Sequence, residues 1–194
     1  MIFATGNKDK AREIGEILGR DVDTMSDAGI DVEIIEDGKT FAENSLIKAR
    51  TVAEAADYKD IVLADDSGLE IDALGKEPGV YSARYLGEDT PYEKKNAIIL
   101  QRLADVPQED RTARFVCAMS AVLCDGRELS AVETMEGHIA FDAAGENGFG
   151  YDPIFVPDGY DVTSAQLSPQ DKNSISHRGK AMRRIKAMLE EVQS

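Results

Sequence analysis

Apolar side chains recur at regular spacings in the first third of the chain and predict a strand followed by a helix. Residues 1–4 are mostly apolar and predict a short buried strand. Residues 8–18 carry apolar side chains at helical spacing, and Gly19 is suited to end that helix. A weaker strand pattern follows at residues 31–35.

A second helix and a second strand are predicted in the next part of the chain. Thr40 and Glu43 have the separation of a helix capping box, so we expect a helix from there to about Ala56. The apolar run 61–64 predicts a strand that ends in an acidic turn at 65–68. This acidic turn is the clearest local feature of the sequence.

The second half of the chain adds a hairpin between two helices. Thr and Pro at positions 90 and 91 predict the start of a helix that runs to about residue 103. Two strand patterns, 115–123 and 129–135, flank the turn signal Asp125-Gly126. The last helix is expected at 177–192. Helices mixed with hairpin strands predict an α/β fold with a mixed sheet.

The composition indicates one folded domain. With 194 residues, 42% of them apolar, the chain can bury a core, so we expect a single domain over residues 1–194 that can have two lobes. The first residues show no basic segment followed by a long apolar stretch, so we expect a soluble cytoplasmic protein. Cys117 and Cys124 lack the close spacing of a zinc or redox motif and are expected to be packing residues.

A formal net charge of −15 restricts the possible partners. Nucleic acid and anionic membranes would be repelled over most of the surface, so we expect neither as a partner. A divalent cation can reverse the field locally, so an acidic protein can still bind a polyphosphate if it brings Mg²⁺. Solvation of the surface explains most of the 37 acidic residues.

The segment from Thr5 to Lys10 lies between a predicted strand and the first turn of a predicted helix. Free backbone N–H groups and the helix dipole favour an anion there, and Gly6 lets the backbone approach it closely. Asn7 adds a hydrogen-bond donor, and Lys8 or Lys10 can neutralise phosphate charge. An ordinary strand-to-helix turn with solvated lysines explains the segment equally well.

Asp65 and Asp66 are adjacent carboxylates that repel each other unless a cation or water accommodates them, and repulsion should raise the pKa of one of them. Such oxygen ligands suit Mg²⁺, which takes one or two carboxylates and completes its shell with water and phosphate oxygens. A solvated acidic turn is the alternative. Glu36 and Lys48 supply a carboxylate and a cation upstream, although either can be a surface residue.

Phe149 and Tyr151 flank Gly150 in a turn that could stack against a nucleobase. Packing of these aromatic rings onto the core is the more common role of such a turn. Three potential donors lie near the start of the last predicted helix: Lys172, His177 and Arg178.

Taken together, these segments resemble the inosine/xanthosine triphosphate pyrophosphatase family, also called Ham1-like. Each segment is weak evidence alone, but their joint occurrence in the order of the family, at fitting spacings over nearly the whole chain, is very specific. The matching segments are TGNKDK at 5–10, TFAENS at 40–45, ADDSGL at 64–69, PGVYSARY at 78–85, GFGYDPIF at 148–155 and SHRG at 176–179.

The resemblance implies an elongated, two-lobed α/β domain with a mixed β-sheet, flanking helices and a central substrate cleft, assembled as a homodimer. It implies Mg²⁺-dependent hydrolysis of inosine and xanthosine triphosphates and their deoxy forms to the monophosphate and pyrophosphate, which removes damaged purines from the nucleotide pool. Asp66 matches the catalytic acid, and Asp65 and Glu36 match carboxylates near the metal. The positions that match substrate contacts are Thr5, Gly6, Asn7, Lys8, Asp9, Lys10, Lys48, Ser67, Phe149, Gly150, Tyr151, Asp152, Lys172, His177 and Arg178.

Two alternatives remain open at the level of sequence. A Maf-like nucleotide pyrophosphatase would share the fold and select other bases. A phospho-receiver signalling module also combines an acidic pair, Mg²⁺, a hydroxyl residue and a lysine, but it leaves the segments 149–152 and 177–178 unexplained.

Overall fold

The computed structural model describes residues 1–6, 8–19 and 22–193, except for the side chains at positions 8, 9, 18 and 193. Within these ranges the protein combines one β-sheet with α-helices. The strands are β1 (Ile2–Phe3), β2 (Asp23–Thr24), β3 (Val62–Ile71), β4 (Thr112–Val122), β5 (Glu128–Ile139) and β6 (Phe155–Pro157). The helices are α1 (Lys8–Leu18), α2 (Phe41–Ala55), α3 (Tyr92–Arg102), α4 (Pro169–Ile175) and α5 (His177–Gln193).

The sheet has the strand order β2-β1-β3-β4-β5-β6. β1 pairs in parallel with β2 and β3, whereas β5 and β6 are antiparallel. The predicted mixed sheet and α/β class are therefore confirmed. None of the helices in the described ranges is long and apolar enough to cross a bilayer.

Most predicted helices begin where their local signals indicate. The capping box is present, because the Thr40 side chain accepts from the Glu43 N–H at 3.1 Å and the Glu43 carboxylate accepts from the Thr40 N–H at 3.1 Å. The strand predicted at 31–35 is wrong, since that segment has no strand and the edge of the sheet is formed by β2 instead.

The chain divides into two compact units. The first comprises residues 1–66, 117–133 and 177–194, and the second comprises 67–116 and 134–176. The prediction of one domain over residues 1–194 stays a prediction.

In the first unit, alternate strand residues pack against different helices. Leu63 of β3 belongs to a core cluster with Ile14 of α1 and Ile185 of α5. Its neighbour Val62 belongs to another cluster, with Val52 of α2. Because successive side chains of a strand point to opposite faces, α1 and α5 cover one face of β3 and α2 covers the other.

In the second unit, the core forms around α3 and the turn before β6. Ile99 and Leu103, at the C-terminal end of α3, share one cluster with Leu69, Tyr151 and Phe155. This packing places α3 directly against the turn that precedes β6.

Candidate active site

Asp65 and Asp66 lie within β3 and not in a turn after it. The prediction of an acidic turn is wrong, because the strand continues to Ile71. As neighbours in a strand, the two carboxylates point to opposite faces and do not share one position. Both are buried, with 2% and 8% of their surface exposed, so each needs polar or charged partners on its own face.

Asp66 lies on the face that α2 covers and contacts two side chains of that helix. Lys48 Nζ donates to Asp66 Oδ1 at 3.1 Å, and Asn44 Nδ2 donates to Asp66 Oδ2 at 3.3 Å. Asn44 and Lys48 are four residues apart, so they lie on the same side of the helix. Lys48 Nζ also donates to Glu36 Oε2 at 2.9 Å, which brings two carboxylates to one ammonium group.

Burial has the largest influence on Asp66 and raises its pKa above the ordinary value, against the opposing attraction of Lys48. The predicted rise for one member of the acidic pair is therefore confirmed in direction. Its main cause is desolvation and not repulsion by Asp65. Burial lowers the pKa of Lys48, but the carboxylates around it outweigh this effect, and its pKa is raised, so the ammonium stays charged.

Asp65 lies on the opposite face and is held by two cations. Lys10 Nζ of α1 donates to Asp65 Oδ1 at 3.1 Å, and Arg178 Nε of α5 donates to Asp65 Oδ2 at 3.2 Å. Burial would raise the pKa of Asp65, but Lys10 and Arg178 hold it well below its usual range. Arg178 also pairs with Glu13, so this network joins two buried carboxylates to two cations.

Glu13 and Asn44 are not among the predicted site residues. Glu13 is three residues beyond Lys10 and next to the core residue Ile14, a position where an isolated carboxylate is costly. Asn44 is four residues before Lys48. The helical spacing from a predicted site lysine is the signal that could have identified both residues.

Several of the predicted phosphate contacts precede or begin α1. Thr5 and Gly6 lie directly before the helix, and the Thr5 N–H donates to the Phe3 carbonyl at 2.8 Å. Lys10 points to Asp65, as described above. Asn7 and the side chains of Lys8 and Asp9 lie outside the described residues.

In the second unit, Phe149 lies in a turn between two glycines. Gly148 and Gly150 have φ values of +74° and +70°, in the left-handed region that favours glycine. The Asp152 carboxylate accepts from the Phe149 N–H and from Lys172 Nζ, both at 2.8 Å. Lys172 Nζ also lies 4.9 Å from the centroid of the Phe149 ring. A half-buried ring and an ammonium group are thus fixed side by side.

Tyr151 is a core residue, which agrees with the alternative that its ring packs onto the core, and its substrate contact stays a prediction. Only 3% of its surface is exposed, and its hydroxyl donates to the Ser82 carbonyl at 2.7 Å. Its ring meets that of Tyr92 edge to face, with centroids 5.2 Å apart. Of the two rings predicted as a platform, only Phe149 is partly exposed.

The other predicted site residues lie in β3 and at the start of α5. Ser67 follows Asp66 in β3 and is half-buried. His177 and Arg178 begin α5 in the first unit, where both are buried. Across the described ranges, no group of three or more His, Cys, Asp or Glu side chains comes together as a metal site.

Comparison with known proteins identifies relatives over almost the full chain. A sequence model of the Ham1 family matches residues 1–188. The dITP/XTP pyrophosphatase of Bacillus subtilis is 47% identical, with 97% of this chain and 96% of the relative covered. That of Nitratidesulfovibrio vulgaris is 49% identical, with 95% and 93% covered.

Solved structures agree with the sequence relatives. The Staphylococcus aureus Ham1 protein matches with a TM-score of 0.87 and 40% identity, covering 98% of this chain and 97% of that one. A HAM1 protein from Coxiella burnetii matches with a TM-score of 0.86 and 37% identity, covering 98% of each chain. This chain belongs to the Ham1 family.

Proposed function

We propose that this protein hydrolyses non-canonical purine nucleoside triphosphates, such as dITP and XTP, to the monophosphate and pyrophosphate. The observation that carries the proposal is the near-full-length similarity to relatives named dITP/XTP pyrophosphatase. The Maf-like and phospho-receiver alternatives are not favoured, because this similarity extends through the segments around Phe149 and His177. A cytoplasmic location and a homodimer stay predictions.

Asp66 is the residue that we assign to activation of water. In this reaction, water attacks the α-phosphorus, the bond to the oxygen that bridges the α and β phosphates breaks, and pyrophosphate leaves. A buried carboxylate with a raised pKa is a better proton acceptor than a solvated one. Lys48, which stays charged, is assigned to the negative charge of the phosphates. Thr5, Gly6 and Lys10, at the N-terminal end of α1, are assigned to triphosphate binding.

The carboxylates of Glu36 and Asp66 fit a Mg²⁺ ion. Both accept from the same Lys48 nitrogen, at 2.9 and 3.1 Å, so the two carboxylates face one position, which the Lys48 ammonium occupies. One or two carboxylates are what Mg²⁺ usually takes from a protein when phosphate oxygens and water complete its shell. When bound, the ion would polarise a phosphate oxygen. Asp65 is engaged on the other face of β3, so we assign it to holding Lys10 and Arg178 and not to the metal.

Lys172 and Phe149 are the residues that we assign to the base. The ring provides a stacking surface, and the ammonium is a donor for the 6-oxo group of hypoxanthine or xanthine. Asp152 orients this ammonium through the 2.8 Å contact. Base contacts by His177 and Arg178 stay predictions.

The products of the reaction test the proposed function directly. With dITP and Mg²⁺, we expect the protein to release deoxyinosine monophosphate and pyrophosphate in equal amounts. Chromatography of the nucleotides, together with a coupled pyrophosphate assay, measures both. Release of the diphosphate and inorganic phosphate would show cleavage at a different bond. Stoichiometric phosphorylation without turnover would favour the phospho-receiver.

A further inference from the structure

Helix α3 contacts two turns of the second unit through buried polar side chains. Lys95 is 1% exposed, and its Nζ donates to the Ala83 carbonyl at 2.6 Å. Asn96 is 5% exposed, and its Nδ2 donates to the Gly150 carbonyl at 3.1 Å. Polar side chains are costly to bury, so both contacts indicate that α3 holds backbone in place.

The turn around Phe149 is held at two points, by Asp152 at the Phe149 N–H and by Asn96 at the Gly150 carbonyl. Glycine adopts many backbone conformations, and a turn with glycine on both sides of one residue does not by itself fix the direction of that residue. Tyr92, one helical turn before Asn96, lies under the same peptide, since a Cβ built on Gly150 would be 3.6 Å from the Tyr92 ring. Asn96 therefore contacts Gly150, and the Tyr92 ring lies beside it on the same helix.

Stability alone does not account for an asparagine at position 96. Its Oδ1 is buried and has no hydrogen-bond partner among the described residues. An unsatisfied buried acceptor destabilises the folded state, and a leucine of similar size would avoid that cost. Asn96 thus keeps the Nδ2 donor that binds the Gly150 carbonyl, although its Oδ1 acceptor is left unpaired.

We propose that Asn96 is a positioning residue for base selectivity. By holding the Gly150 carbonyl, it fixes the Phe149 ring beside the Lys172 ammonium. Hydrogen-bond discrimination between bases depends on donor and acceptor placement, and small displacements weaken it. The inference rests on the proposed function, in which Phe149 and Lys172 contact the purine.

Replacement of Asn96 by leucine tests the effect on selectivity. In Asn96→Leu, we expect the ratio of kcat/KM for dITP to that for dATP to fall by about tenfold, mainly through a higher KM for dITP. We expect its Tm to stay close to that of the wild type. Lys94→Ala, at an exposed position of the same helix, is the control and should leave the ratio unchanged. An unchanged ratio in Asn96→Leu, or a parallel loss for both nucleotides with a lower Tm, would overturn the proposal.

A fluorescent probe tests the positioning itself without any hydrolysis. The chain contains no tryptophan, so Phe149→Trp introduces a single tryptophan into the turn, and its longer excitation wavelength separates it from the six tyrosines. Adding Asn96→Leu to this variant should shift its emission to longer wavelength and lower its anisotropy, whereas adding Lys94→Ala should change neither. Identical emission and anisotropy would overturn the proposal. A wild type that cleaves dITP and dATP equally would defeat the proposed function, and the emission would still decide whether Asn96 positions the turn.

Discussion

An Asp66→Asn protein is expected to turn over dITP about 10²- to 10⁴-fold more slowly than the wild type, the range for loss of a general base. Asparagine has nearly the same shape and can keep the contact with Lys48, but it cannot accept a proton at neutral pH. Nucleotide affinity should change much less, because Lys48 and Lys10 remain. Steady-state kinetics give kcat, and equilibrium titration with the nucleotide gives the affinity.

A matched control separates this effect from a general loss of charge. Asp31 is an exposed aspartate of the same unit, and Asp31→Asn should keep normal turnover. Circular dichroism and the Tm show whether each variant is folded. Near-normal turnover in a folded Asp66→Asn protein would mean that another group activates the water.

Removal of divalent metal is expected to reduce hydrolysis to the background rate. Added Mg²⁺ should restore the activity, and Ca²⁺ should do so poorly, because it adopts longer and less regular coordination. The reason is that Glu36 and Asp66 lie close enough to contact the same Lys48 nitrogen and together supply the carboxylates that Mg²⁺ usually takes. Pyrophosphate release, measured in excess chelator and during titration with each metal, checks this.

The assignment of Glu36 gives the metal prediction a local test. Glu36→Gln should increase the Mg²⁺ concentration required for half-maximal activity, whereas Glu33→Gln, an exposed position of the same segment, should not. Full activity of the wild type in excess chelator would exclude the metal requirement.

Local signals were sufficient to predict the helices, but they were not sufficient for the acidic pair. Residues 8–18 carry apolar side chains at helical spacing and are followed by Gly19, and α1 has the predicted bounds. Asp65 and Asp66 were interpreted as a turn, because charged residues are rare in the middle of a buried strand. They are accommodated by cations distant in sequence, with Lys10 separated from Asp65 by 55 positions and Arg178 by 113. Such partners become apparent only in the folded chain.

The candidate site was also predicted only in part. Three of the predicted site residues, Glu36, Lys48 and Asp66, lie in contact with one another through Lys48. Stacking and packing both stayed open for the rings of Phe149 and Tyr151, because two aromatic residues around a glycine do not reveal which ring is buried. β2 was missed because its two residues are polar and show neither an apolar run nor alternation.

Base selectivity is the most direct test of the central claim that this protein removes non-canonical purine nucleotides. The measurement is kcat/KM for dITP and XTP against dATP and dGTP, with Mg²⁺ present. The 6-oxo group can accept from Lys172, whereas adenine would leave this donor unpaired, and rejection of guanine requires that its 2-amino group find no room or acceptor. We predict values at least about a hundredfold higher for dITP and XTP, roughly 2.7 kcal/mol of differential transition-state binding. Equal values for dITP and dATP would contradict the account.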